Sequence, residues 1–92
     1  MTMNLSKNYK KGETIFHQGS QSDCAFIISS GSAEILQETT EGEKVIGKLK
    51  ENEIFGEVGL FDGQPRTTTA RALEASVMYV ITRNNLDIVK TS

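Results

Sequence analysis

The chain has 92 residues and a formal net charge of −2 at pH 7, and 24% of its residues are charged. A chain of this length forms one small domain, which buries roughly 60–65% of its unfolded surface on folding. The slightly acidic balance provides no basic field that would attract nucleic acid phosphates or anionic lipid. We therefore expect neither nucleic acid nor a membrane as a partner.

Cysteine usage and hydropathy indicate the compartment. The single cysteine, Cys24, lies in an apolar run, which predicts a buried thiol and excludes an internal disulfide. No apolar stretch approaches the ~18 residues of a membrane span, and the polar first eleven residues lack a signal-peptide core. These features predict a cytoplasmic protein.

Short apolar segments separated by turn residues occupy most of the chain. Residues 1–8 are polar and aperiodic and are predicted to form a flexible N-terminal arm, followed by one domain over residues 9–92. Thr82 and the residues after it can cap a last short helix over Leu86–Val89. The predicted strands, the first of which includes a turn, are Tyr9–Glu13, Thr14–His17, Cys24–Ser29, Ser32–Gln37, Lys44–Leu49, Ile54–Phe55, Thr67–Ala72 and Ser76–Ile81. Many short strands favour an antiparallel sandwich, roll or small barrel.

The stretch from residue 55 to residue 72 contains the densest group of special residues. Gly56 and Gly59 allow the backbone to approach a ligand closely, and the apolar pair at 60–61 predicts one helical turn with free N–H groups for an anion. Pro65 fixes φ before Arg66, so the arginine enters the next strand at a defined place and can face the same concavity. A guanidinium group beside free N–H groups suits a phosphate.

Glu57 is the acidic residue of this stretch. A carboxylate beside a phosphate site is repulsive unless it has another use, and accepting a hydrogen bond from a sugar hydroxyl is one. A second possibility is an ion pair with Arg66 in an empty pocket. Both roles remain open from the residues alone.

The pattern F-G-E followed, after the predicted helical turn, by G-x-P-R-T-x-T-A resembles the phosphate-binding cassette of the cyclic nucleotide-binding domain family. The resemblance extends from about Tyr9 to Val89. It implies a mostly β fold, an antiparallel double-stranded β-roll of jelly-roll type with a short helix in the cassette and a short C-terminal helix. It also implies a regulatory module that binds cAMP or cGMP, with no catalytic activity and no cofactor or metal.

The resemblance also assigns roles to individual residues. Arg66 would grip the exocyclic phosphate oxygens, Glu57 would bind the ribose 2′-OH, and the Gly56 backbone would close on the sugar-phosphate ring. Thr67 has three possible roles: a phosphate contact, a contact with a guanine 2-amino group, or an ordinary strand position. The predicted ligand-binding set is Gly56, Glu57, Val58, Gly59, Arg66 and Thr67.

The sequence departs from the family pattern at its two ends, where flanking helices are missing or truncated. Because the last helix of the family commonly covers the base, the choice between adenine and guanine stays open. The truncation favours a second hypothesis, a structural or protein-interaction domain that keeps the roll without a ligand. In either case we expect a homodimer or an effector protein in trans. Catalysis is disfavoured because His17 is the single histidine, and neither Asp23 nor Asp62 has a partner for acid–base chemistry.

Overall fold

In the computed structural model, residues 5–57 and 63–82 are described, and they form eight β-strands and no helix. The strands are β1 (Ser6–Tyr9), β2 (Thr14–Phe16), β3 (Cys24–Ser30), β4 (Ala33–Thr39), β5 (Gly42–Leu49), β6 (Ile54–Phe55), β7 (Thr69–Ala72) and β8 (Ser76–Thr82). Two four-stranded sheets have the orders β1-β8-β3-β6 and β2-β7-β4-β5, and every pairing is antiparallel.

This arrangement confirms the predicted β-roll. The predicted cassette helix and the helix over Leu86–Val89 lie outside the described residues. Within the described segments, no helix is both long and apolar enough to cross a bilayer. The start of the first strand differs from the prediction. Residues 6–8, which the sequence predicts to be part of the N-terminal arm, pair with β8 through Ser6↔Tyr79, Lys7↔Met78 and Asn8↔Val77. The first strand therefore starts three residues before the predicted domain boundary.

Alternation along β3 explains how the sheets pack. Phe26 and Ile28 face the interior between the sheets, where they are 4% and 0% exposed. Ala25 and Ile27 face the opposite side, where they pack with Ile81 in a separate small cluster. The strand is therefore apolar on both faces, as the sequence predicts.

Three phenylalanines join the two sheets. Phe16 comes from β2 of one sheet, and Phe26 and Phe55 come from β3 and β6 of the other. The ring centroids are 5.9 Å apart for Phe16 and Phe26, 6.0 Å for Phe16 and Phe55, and 5.4 Å for Phe26 and Phe55. These separations lie within the favourable range for aromatic pairs. The cluster fixes β2 against β3 beside the segment that carries Arg66.

The β4–β5 hairpin forms one edge of the second sheet. Its register changes from Ile35↔Gly47 to Leu36↔Val45, so Ile46 is an extra residue in β5 and forms a β-bulge. Both Val45 and Ile46 are about half exposed.

The turn between β3 and β4 depends on Gly31. This residue has φ of +96°, and a Cβ there would lie 2.1 Å from the Ser76 Oγ atom. The hydroxyl group cannot move freely, because it donates to the Glu74 carbonyl at 2.8 Å and lies 3.2 Å from both the amide nitrogen and the carbonyl oxygen of Ser32.

We expect Gly31→Ala to lower the free energy of unfolding by about 3 kcal/mol or more, since left-handed strain and a steric clash act together. Gly12→Ala is the matched control. Gly12 also has positive φ, +83°, but a Cβ there meets no atom within 4 Å, so strain alone should cost about 1–2 kcal/mol. Urea unfolding of both variants measures the difference, and equal losses would contradict the clash.

Candidate functional site

Arg66 lies in the segment that leads into β7 and is only 5% exposed. Its backbone is anchored to the turn after β2: the Arg66 amide donates to the Ser20 carbonyl, and the Gly19 amide donates to the Arg66 carbonyl, both at 2.8 Å. The position of the arginine is thus set by a turn more than forty residues earlier in the sequence. The sequence signals Gly19 only as a turn residue, so this role could not be predicted.

The Arg66 guanidinium group is held by two backbone carbonyls. Nη1 donates to the Gly56 carbonyl at 2.5 Å, and Nη2 donates to the Cys24 carbonyl at 2.6 Å and lies 3.8 Å from Cys24 Sγ. The Nε atom is buried and has no hydrogen-bond partner among the described residues. A buried donor without an acceptor is costly, typically by about 1–3 kcal/mol. Within the described residues, the site therefore contains one buried donor without an acceptor.

Aromatic rings lie against the same group. The Arg66 Cζ atom is 4.2 Å from the centroid of Phe16 and 5.9 Å from that of Phe26, within the range of cation–π attraction. Neither phenylalanine is among the predicted ligand-binding residues. Their role depends on strand pairing that no local sequence pattern encodes.

Gly56 lies where the backbone must pass closest to the guanidinium group. It has φ of +77°, and a Cβ there would be 2.9 Å from Arg66 Nη1 and 3.0 Å from Phe16 Cε2. Both the dihedral angle and the available space therefore require glycine. The structure brings Gly56 and Arg66 together, as the spacing of the motif led us to expect.

A small pocket of about 60 Å³ opens beside this group. It is lined by Phe16, Gly56, Arg66, Thr67 and Thr68. Pockets that enclose a whole small-molecule ligand measure roughly 300–1,000 Å³, so this pocket accommodates only a part of a nucleotide. Thr67 is one of the lining residues, as its predicted contact with phosphate requires.

The other predicted residues are placed differently. Glu57 is exposed and makes no ion pair with Arg66. The ion pairs among the described residues are those of Arg71, with Glu34 at 3.8 Å and with Glu43 at 3.1 Å. The alternative in which Glu57 neutralises Arg66 is therefore not observed. Val58 and Gly59 lie outside the described residues.

Cys24 is partly exposed rather than buried, which corrects the sequence-based expectation. Burial raises the pKa of its thiol above the ordinary value, and the neighbouring Asp23 carboxylate raises that pKa further, while Arg66 acts in the opposite direction. Because the thiol is mostly protonated near neutral pH, Cys24 contributes to the site through its carbonyl oxygen, which accepts from Arg66. Among the described residues, no group of three or more His, Cys, Asp and Glu side chains could hold a metal ion.

A larger groove of about 520 Å³ lies between the start of β8 and the end of β1. Its lining residues are Asn8, Tyr9, Lys10, Glu13, Ala75, Ser76 and Val77. The charged residues of that lining, Lys10 and Glu13, are exposed. The buried cation and the unpartnered donor are at the smaller pocket, which is therefore the candidate functional site.

Comparison with known proteins agrees with this geometry. Residues 6–89 match the model of the cyclic nucleotide-binding domain. The cAMP-dependent protein kinase regulatory subunit of Mycosarcoma maydis is 37% identical over 70 residues, which are 76% of this chain and 13% of that subunit.

Solved structures give the same result. The EAL enzyme Bd1971 in its cAMP-bound form superposes with a TM-score of 0.84 and 36% identity, covering 95% of this chain and 24% of that one. The Thermus thermophilus catabolite activator protein superposes with a TM-score of 0.86 and 26% identity, covering 94% of this chain and 41% of that one. The chain spans between 13% and 41% of the length of these relatives. On its sequence and its fold, the chain belongs to the cyclic nucleotide-binding domain family.

Proposed function

We propose that the chain is a regulatory module that binds cAMP or cGMP and is not itself an enzyme. The ligand phosphate is held by Arg66, with Gly56, Val58, Gly59 and Thr67 around it, and the ribose is held by Glu57. One observation carries the proposal: a buried guanidinium group with an unpartnered Nε lines a pocket large enough for a phosphate.

The electrostatics of the pocket favour an anion. Arg66 is buried and makes no ion pair with a described carboxylate, and the described groups that compensate its charge are carbonyl dipoles and aromatic faces. A buried charge without a counter-ion is costly, and an entering phosphate would neutralise it with charge-assisted hydrogen bonds. The two threonines of the lining add hydroxyl donors beside it.

The assignment of Glu57 depends on its place in the chain. It follows Gly56, which lines the pocket, and its side chain is exposed and free of ion pairs with described residues. A carboxylate at the rim of a phosphate pocket can accept a hydrogen bond from the ribose 2′-OH. Solved forms of the EAL enzyme with cAMP and with cGMP support a cyclic nucleotide as the ligand class and leave both bases open.

The output that we propose is conformational. A ligand that binds one arrangement of the site better than another shifts the population toward it, and a homodimer partner or an effector protein reads the change. We place this activity in the cytoplasm.

A second candidate, a protein-interaction domain without a ligand, is favoured by a row of apolar side chains on the outer face of the first sheet. Ile27 pairs with Ile54 on one side and with Tyr79 on the other. Ile54 is 44% exposed and Tyr79 is 50% exposed. A second copy of the chain could cover this row.

For the proposed function, the first prediction concerns Arg66. We expect Arg66→Met to weaken binding of cAMP or cGMP by about 2–5 kcal/mol, because a charge-assisted phosphate contact is lost. Isothermal titration calorimetry measures the change, and Arg71→Met, which removes a partly exposed arginine of β7, should bind as the wild type does. Equal affinities for wild type and Arg66→Met, or no binding by the wild type, would refute the proposal.

The second prediction separates ribose from phosphate. Glu57→Ala should weaken cAMP binding by about 1.5–3 kcal/mol, the usual contribution of a hydrogen bond to a charged group. The same substitution should leave the affinity for 2′-deoxy-cAMP unchanged, because that ligand lacks the hydroxyl. Glu51→Ala, another exposed acid, serves as the control. A loss of the same size with both ligands would assign Glu57 a role other than ribose binding.

The third prediction tests the interaction candidate by light scattering, with and without cyclic nucleotide. If the apolar row joins two copies, the wild type has the mass of a dimer and Tyr79→Lys has that of a monomer. Val45→Lys, a similarly exposed site on the other sheet, should remain dimeric. A monomeric wild type under both conditions rules out this candidate.

A further inference from the structure

The aromatic face beneath Arg66 has no part in the phosphate and ribose contacts proposed above. We propose that Phe16 is a positioning residue, whose ring holds the Arg66 guanidinium group in place for an incoming phosphate. This inference rests on the proposed function and adds a residue to its site that the cassette motif does not contain.

Three independent restraints fix the guanidinium group. The Phe16 ring lies against it at 4.2 Å, the Gly56 carbonyl accepts from Nη1, and the Cys24 carbonyl accepts from Nη2. The ring is itself immobilised, because Phe16 is 9% exposed and packs against Phe26 and Phe55. The platform is therefore rigid before any ligand arrives.

The position of the pocket shows why this platform serves binding. Phe16 and Arg66 both line it, and the Nε donor is unpartnered while the ring contact is in place. A group that enters the pocket therefore meets Arg66 and the Phe16 ring together, with the ring contact in place. Holding a flexible arginine in its binding position in advance lowers the entropic cost of association. A cation–π contact is also strongest where water is excluded, as it is around this buried group.

Gly56 leaves room for the contact. A Cβ at this position would lie within 3.0 Å of both Arg66 Nη1 and Phe16 Cε2, so any other residue would enter the space beside the ring and the guanidinium group. The glycine of the motif and the aromatic ring of β2 thus form parts of one arrangement.

The test changes the electron density of the ring and keeps its shape. Chemical synthesis or amber suppression places 4-fluorophenylalanine and 3,4,5-trifluorophenylalanine at position 16, and calorimetry measures the Kd for cAMP. Fluorine withdraws electron density from the ring face, so the Kd should rise stepwise, by roughly tenfold for the trifluoro ring.

The same substitutions at Phe55 are the matched control. Phe55 belongs to the same aromatic cluster, but the described cation–π contacts of Arg66 are with Phe16 and Phe26. Fluorination of Phe55 should therefore change the Kd for cAMP less than twofold.

The outcomes separate the two proposals. The positioning role is wrong if the wild type binds cAMP but fluorination at position 16 leaves the Kd unchanged or lowers it. It is also wrong if fluorination at position 55 changes the Kd as much as fluorination at position 16. If the wild type binds neither cAMP nor cGMP, the proposed function fails and the positioning role fails with it. A double-mutant cycle followed by thermal unfolding adds a measurement without ligand. Fluorination of Phe16 should lower the Tm of the wild-type chain, which has Arg66, and should leave the Tm of the Arg66→Met variant unchanged. Equal shifts in both backgrounds would contradict the contact.

Discussion

The burial of one positive charge constrains the rest of this site. Arg66 is 95% withdrawn from water, and no described carboxylate pairs with it. Such a charge is tolerated only where dipoles and polarisable groups replace its hydration. Two carbonyl oxygens and an aromatic face do so here, and they leave the Nε donor unsatisfied. The proposed phosphate binding rests on this incomplete compensation.

These compensating groups come from separate parts of the chain. Phe16 lies in β2 of one sheet, the Cys24 carbonyl belongs to β3 of the other, and Gly56 follows β6. A ligand that pulled on the guanidinium group would therefore act on both sheets at once. A site held by elements of both sheets is suited to converting occupancy into a change of conformation. The aromatic cluster strengthens this connection by packing the same elements together.

Local pattern was sufficient to predict most of the strands and the proximity of Gly56 and Arg66. Alternation and turn residues placed most strands, and the glycines and proline of the cassette identified Gly56 and Arg66. Contacts between distant residues could not be predicted in this way: the Gln18 amide, for example, donates to the Thr69 hydroxyl fifty-one residues away, and the Cys24 carbonyl meets Arg66 forty-two residues away. The start of β1 was misplaced because residues 6–8 are polar and join the sheet through backbone pairing with β8.

The bulge in β5 has a consequence for the behaviour of the protein in solution. β5 is the outermost strand of its sheet, eight residues long, and exposes Val45 and Ile46. A straight strand of this kind would be a template onto which further molecules add, as in amyloid growth. The extra residue at position 46 breaks the regular spacing of amide and carbonyl groups along the strand and increases its twist. An incoming strand then cannot stay in register over the full length, so we expect the bulge to disfavour fibril formation by this domain at high concentration.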